Sequence, residues 1–145
     1  MRHPEFIIFT GPMFGSKTTR LMAVVDRFKY QNRKVLAFKP KMDDRYDQAD
    51  IVTHNGGKIT ANTIHDAAEI IMHLAESEDN YDVVAVDEAF MISGISDGLI
   101  WLYQRGITVV VSSLDMSASC NPFDELQKML PWATKIEKCP AVCPV

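Results

Sequence analysis

Four short runs in this chain are apolar almost throughout: FIIFT at 6–10, VLAF at 35–38, VVAV at 83–86 and ITVVV at 107–111, with amphipathic stretches between them. A strand apolar at every position buries both of its faces, which happens in parallel sheets covered by helices on each side. Between the first two runs, Leu21, Val24, Val25 and Phe28 recur at i, i+3, i+4 and i+7, so the spacing predicts a helix from 17 to about 31. Asp66 followed three residues later by Glu69 reads as a helix start, with Ala67, Ile70, Ile71 and Leu74 as its apolar face and an end near Ser77. Leu99, Ile100, Leu102 and Tyr103 predict a third helix stopped by Gly106, and Asn121-Pro122 opens a fourth through about Leu130. The polar stretch 40–62 carries the turn signal Asn55-Gly56-Gly57 between Ile51–Thr53 and Lys58–Ala61, and reads as a small hairpin or flap. A final strand is expected within 134–142. The expected architecture is an open, mostly parallel sheet with helices on both faces, whose ligands bind at the carboxyl ends of the strands.

Composition narrows the class. At 145 residues and 47% hydrophobic, the chain has the size of one domain, 1–145, with enough apolar surface to bury a core. Fifteen basic against nineteen acidic residues leave a net charge of −4, which argues against a nucleic-acid grip. The basic cluster Arg27, Lys29, Arg33 and Lys34 follows one helix face and its C-terminus, and reads as a solvated face. No apolar stretch approaches the length of a membrane span, and the N-terminus lacks a signal-peptide core. An odd set of cysteines, Cys120, Cys139 and Cys143, suits a reducing compartment, so a cytoplasmic protein is expected.

Two segments carry chemistry. Gly11-Pro12-Met13-Phe14-Gly15-Ser16-Lys17-Thr18 lies between the first strand and the first helix, the context in which backbone N–H groups curl around a phosphate. In such a loop a lysine reaches the β- and γ-phosphates and a hydroxyl holds Mg²⁺, and Gly11, Lys17 and Thr18 have the required spacing. Ser16 occupies the place before the lysine that ordinarily holds glycine, and the glycine stands one position earlier at Gly15. The second segment is Asp87-Glu88, at the end of VVAV. An aspartate there can hold Mg²⁺, and a neighbouring carboxylate can accept a proton from an attacking hydroxyl.

Taken together, GPMFGSKTTRLM, KPKMDDRY, VDEAF, SSLDMSASCNPF and LPWATKIEKCPAVC resemble, in order and over nearly the whole chain, the type II (cellular and bacterial) thymidine kinases. The resemblance implies an α/β P-loop NTPase fold of RecA-like type and transfer of the γ-phosphoryl group of ATP to the 5′-hydroxyl of thymidine with Mg²⁺. That reaction serves deoxynucleoside salvage and DNA synthesis, and the family's assembly is a homotetramer. Carried over by position, Gly11 to Thr18 would hold the triphosphate, with Lys17 at the phosphates and Thr18 on the metal. Asp87 would support the metal and Glu88 would be the general base. Asp43 and Arg45 match positions near the transferred phosphate, where an arginine spreads over equatorial oxygens. Met13 and Leu114 match positions lining the thymine pocket.

The sequence also departs from the family pattern. Phe90 stands at the substrate position of the family's glutamine, Met91 replaces a phenylalanine, Ala118 an aromatic and Cys120 a basic residue. Cys143 matches the first ligand of the family's structural zinc, whose other thiolates would follow only if the chain continued beyond Val145; Cys139 and Cys143 alone cannot fill four positions. With the altered loop and pocket and without the zinc-stapled lid, a second reading is a catalytically impaired homologue serving as a structural or interaction subunit. His54, His65 and His73 have no metal-type spacing, and neither nucleic acid nor membrane is an expected partner.

Overall fold

The computed structural model describes residues 3–12, 17–41, 48–52, 58–114 and 124–139. Within them the chain runs β1 (Phe6–Gly11), α1 (Lys17–Tyr30), β2 (Val35–Pro40), β3 (Gln48–Val52), β4 (Lys58–Ile64), α2 (Ala67–Glu76), β5 (Val83–Val86), α3 (Ile95–Gln104), β6 (Thr108–Leu114), α4 (Asp124–Met129) and β7 (Lys135–Lys138). Short 3₁₀ turns occupy Ala89–Met91 and Leu130–Trp132. The described strands form one sheet in the order β3-β4-β2-β5-β6-β1-β7, parallel throughout except for the β3–β4 pair. The mostly parallel α/β architecture expected from the sequence is the one found.

Strand alternation divides the core in two. Phe6 and Ile8, Val84 and Val86, and Val109 and Val111 point to the face covered by α2, α3 and α4. Ile7 and Phe9, Val83 and Ala85, and Val110 point to the face where α1 lays down Leu21, Val24, Val25 and Phe28. Burying both faces explains why these runs are apolar at every position.

The helix ends follow local chemistry. Asp66 and Glu69 close a reciprocal capping box on α2, and Glu69 Oε2 also accepts from the His65 N–H. Burial pushes the Glu69 carboxyl up, yet the two backbone donors hold it below the ordinary glutamate value. α1 ends at Asn32 and α3 at Gly106, both left-handed. In each case paired backbone bonds, Arg33 N–H to Phe28 O and Ile107 N–H to Leu102 O among them, satisfy the last carbonyls.

The hairpin expected at 40–62 is present, but it is no separate flap. β4 continues to Ile64 and joins β2 in parallel, so the hairpin extends the main sheet at its edge. The fourth helix is described from Asp124; Asn121 and Pro122 lie outside the described residues, as does everything after Cys139.

Candidate functional site at the carboxyl edge of the sheet

β6 lies between β1 and β5, so residues following β1 and β5 are separated by one strand at the carboxyl edge. The gap is closed by side chains. Thr18, in the first turn of α1, donates from Oγ1 to Asp87 Oδ1 at 3.1 Å. Ser112 of β6, buried, hydrogen-bonds the same carboxylate, and the Asp87 N–H donates to Phe38 O of β2 at 2.9 Å. Three strands and a helix therefore fix one carboxylate. The buried Lys17 donates from Nζ to Pro12 O at 2.6 Å, across the start of the loop whose residues Met13, Phe14, Gly15 and Ser16 lie outside the described residues.

Gly11 closes β1 at a φ of 148°, opposite Leu114 in the β1–β6 register. A Cβ at Gly11 would collide with the Cys139 carbonyl, because the Cys139 N–H donates to Thr10 O at 2.6 Å and draws that segment against the strand end. Only glycine accommodates both the angle and the approach. The buried Cys139 is part of this packing.

Electrostatics set Asp87 and Glu88 apart. Burial pushes the Asp87 carboxyl above its ordinary value, and the hydrogen bonds from Ser112 and Thr18 and the charge of Lys39 offset this only in part. Glu88 is more open; desolvation and then the neighbouring Asp87 raise it, against the pull of Lys39 and Lys17. Its backbone is left-handed, at φ 52° and ψ 44°, which turns the chain from β5 into the Ala89–Met91 turn. A non-glycine residue held in that region costs about 1 kcal/mol and persists where surrounding structure imposes it.

The structure thus brings together Gly11, Pro12, Lys17, Thr18, Asp87, Glu88 and Leu114 of the residues marked by sequence, with Phe90 half-buried in the turn just beyond. Asp43, Arg45 and Cys143 lie outside the described residues. Two residues of the cluster, Ser112 and Lys39, have no role assigned from the sequence, although each opens one of the motifs that carry the family resemblance, SSLDMSASCNPF and KPKMDDRY. Thr18 and Asp87 offer hard oxygen donors, and a buried, incompletely compensated carboxylate is chemically suited to a divalent cation. Among the described residues no group of three or more His, Cys, Asp and Glu side chains could hold a metal, and no helix is long and apolar enough to cross a membrane.

This architecture is that of an open, mostly parallel α/β domain with helices on both faces and its candidate site at the carboxyl edge of the sheet. Residues 5–145 match the family model described as thymidine kinase. The chain is 34% identical over 143 residues to a thymidine kinase of Bacteroides thetaiotaomicron and 33% identical to one of Bacteroides fragilis, spanning 98% of this chain and 70% of each relative. It belongs to the thymidine kinase family. Among solved structures, the N-terminal domain of the DNA packaging ATPase from bacteriophage phi29 superposes with a TM-score of 0.45 at 11% identity, covering 96% of this chain and 90% of that one.

Proposed function

We propose that this chain transfers the γ-phosphoryl group of ATP to the 5′-hydroxyl of thymidine in an Mg²⁺-dependent reaction, working in the cytoplasm as a homotetramer. The observation that carries the reading is the Thr18–Asp87 hydrogen bond, which joins the end of the phosphate-type loop to the acidic strand end in a chain of this family. In this reading Gly11 to Thr18 wrap the triphosphate, Lys17 pairs with its oxygens, and Asp43 and Arg45 lie along the transferred group. Thr18 and Asp87 hold the metal, which when bound neutralises charge on the β- and γ-oxygens. Met13, Phe90 and Leu114 line the base pocket.

Glu88 accepts the proton of the 5′-hydroxyl as that oxygen forms its bond to the γ-phosphorus. The bond from phosphorus to the bridging oxygen breaks, and ADP leaves with the electron pair. A glutamate raised above its ordinary value is a stronger base than a solvated one. The expected result is thymidine-dependent ADP formation that requires Mg²⁺, lost by about 10²-fold or more in Glu88→Gln with ATP affinity retained. No turnover by the wild-type chain at saturating ATP and thymidine would overturn the reading in favour of an impaired homologue with a structural role, which the Gly15/Ser16 order and Phe90 favour.

A further inference from the structure

Lys39 is the last residue but one of β2, the strand beside β5. The β2–β5 register pairs Ala37 with Ala85 and Phe38 with Val86, and the bond from Asp87 N–H to Phe38 O carries that alignment one step further. Ala37 and Ala85 share the α1 face of the sheet, so alternation places Lys39 and Asp87 side by side on that face, where Thr18 also stands. The side chain is half-buried. Its hydrogen bond among the described residues is a long one, from Nζ to Asp50 O at 3.4 Å, which leaves the ammonium's other two protons for another acceptor.

We infer that Lys39 is a further phosphate-binding cation, in addition to Lys17 and Arg45, that takes an oxygen of the transferred γ-phosphoryl group. Two carboxylates at the mouth of the site repel an incoming triphosphate, and a cation acting on both of them relieves that repulsion at the transfer point. Lys39 acts on Asp87 and Glu88 alike, and on Glu88 ahead of Lys17. Lys17 is anchored on the Pro12 carbonyl at the loop start, whereas Lys39 stands on β2 in register with Asp87, its ammonium reaching toward Asp50 of β3, so that taking a phosphoryl oxygen requires the side chain to swing toward β5. The assignment to the γ-position rests on the phosphotransferase reading above.

Calorimetric titration with the Mg²⁺ complexes of a non-hydrolysable ATP analogue and of ADP tests it, alongside steady-state kinetics, in wild type, Lys39→Met and Lys39→Arg. The expected result is about tenfold weaker binding of the ATP analogue in Lys39→Met with ADP binding changed less than threefold. A fall in kcat of about 10²-fold at unchanged thymidine KM, and partial recovery in Lys39→Arg, complete the pattern. If Lys39→Met binds ATP analogue and ADP as wild type does, or loses both equally, the γ-phosphoryl contact is wrong. If wild type binds the analogue but does not phosphorylate thymidine, the phosphotransferase reading fails, and the ATP-against-ADP comparison still decides whether Lys39 binds the γ-group. Wild type that binds neither nucleotide overturns both.

Discussion

Thr10 immediately precedes the turn at Gly11, and its Oγ1 is buried without a hydrogen-bond partner among the described residues. An unmet buried hydroxyl costs about 1–3 kcal/mol, so the isosteric Thr10→Val is expected to stabilise the ligand-free protein by about 1 kcal/mol, raising Tm by about 3 °C in calorimetry. A lower Tm would show that the hydroxyl is satisfied. Asp87 yields a pH-dependent counterpart. Its folded-state pKa lies above the unfolded value of about 3.9, so its contribution is fully present below that value and is lost as pH rises through the folded pKa. Asp87→Asn removes the loss. In urea titrations of ligand-free protein, the stability difference between variant and wild type should grow as pH rises above the unfolded value and stop growing once the folded carboxyl is ionised; a difference independent of pH would contradict it. Lys17, Thr18, Asp87 and Glu88 were legible because each sits in a spaced motif beside an apolar run. Ser112 and Lys39 also open quoted motifs, but their place at the site was not legible, since it depends on β6 and β2 flanking β5, and periodicity encodes no strand order. Arg33, which reads as part of a solvated basic face, instead lies over the Phe28 ring at 4.6 Å and donates to the buried Thr108.

Elements were legible where local chemistry sets them. The start of α2 follows from Asp66 and Glu69, and the end of α3 from Gly106, because a capping box and a left-handed glycine act within one turn. The hairpin was visible from its turn residues, but its place at the sheet edge was not, because the pairing of β4 with β2 is a contact made at a distance in sequence. The crossing of α2 and α3 is equally non-local. A Cβ at Gly98, inside α3, would stand 2.6 Å from the Ala67 Cβ at the start of α2. Alanine favours a helix over glycine by about 1 kcal/mol, but overpacking costs about 1–3 kcal/mol. Gly98→Ala is therefore expected to lower the urea midpoint despite its better helix propensity, and the double variant with Ala67→Gly to restore it. If the single variant is stabilised, the two helices have room to separate.

At the scale of the whole molecule, α1 covers one face of the sheet while α2, α3 and α4 share the other. The candidate cluster lies at the carboxyl edge, toward the α1 face, and its parts come from the end of β1 and start of α1, the ends of β2 and β5, and β6. Among the described strands β1 pairs with β6 and β7: the Glu5 N–H reaches Thr108 across 103 residues and the Phe6 N–H reaches Thr134 across 128. During synthesis from the N-terminus, the FIIF segment has no neighbour in the sheet until most of the chain has been made, and such distant pairings are formed slowly. The apolar side chains of this strand therefore stay uncovered by their sheet neighbours until β6 has been made. Nucleotide added early cannot rescue it, since the strand that supports the phosphate-type loop is among the last to be locked in place.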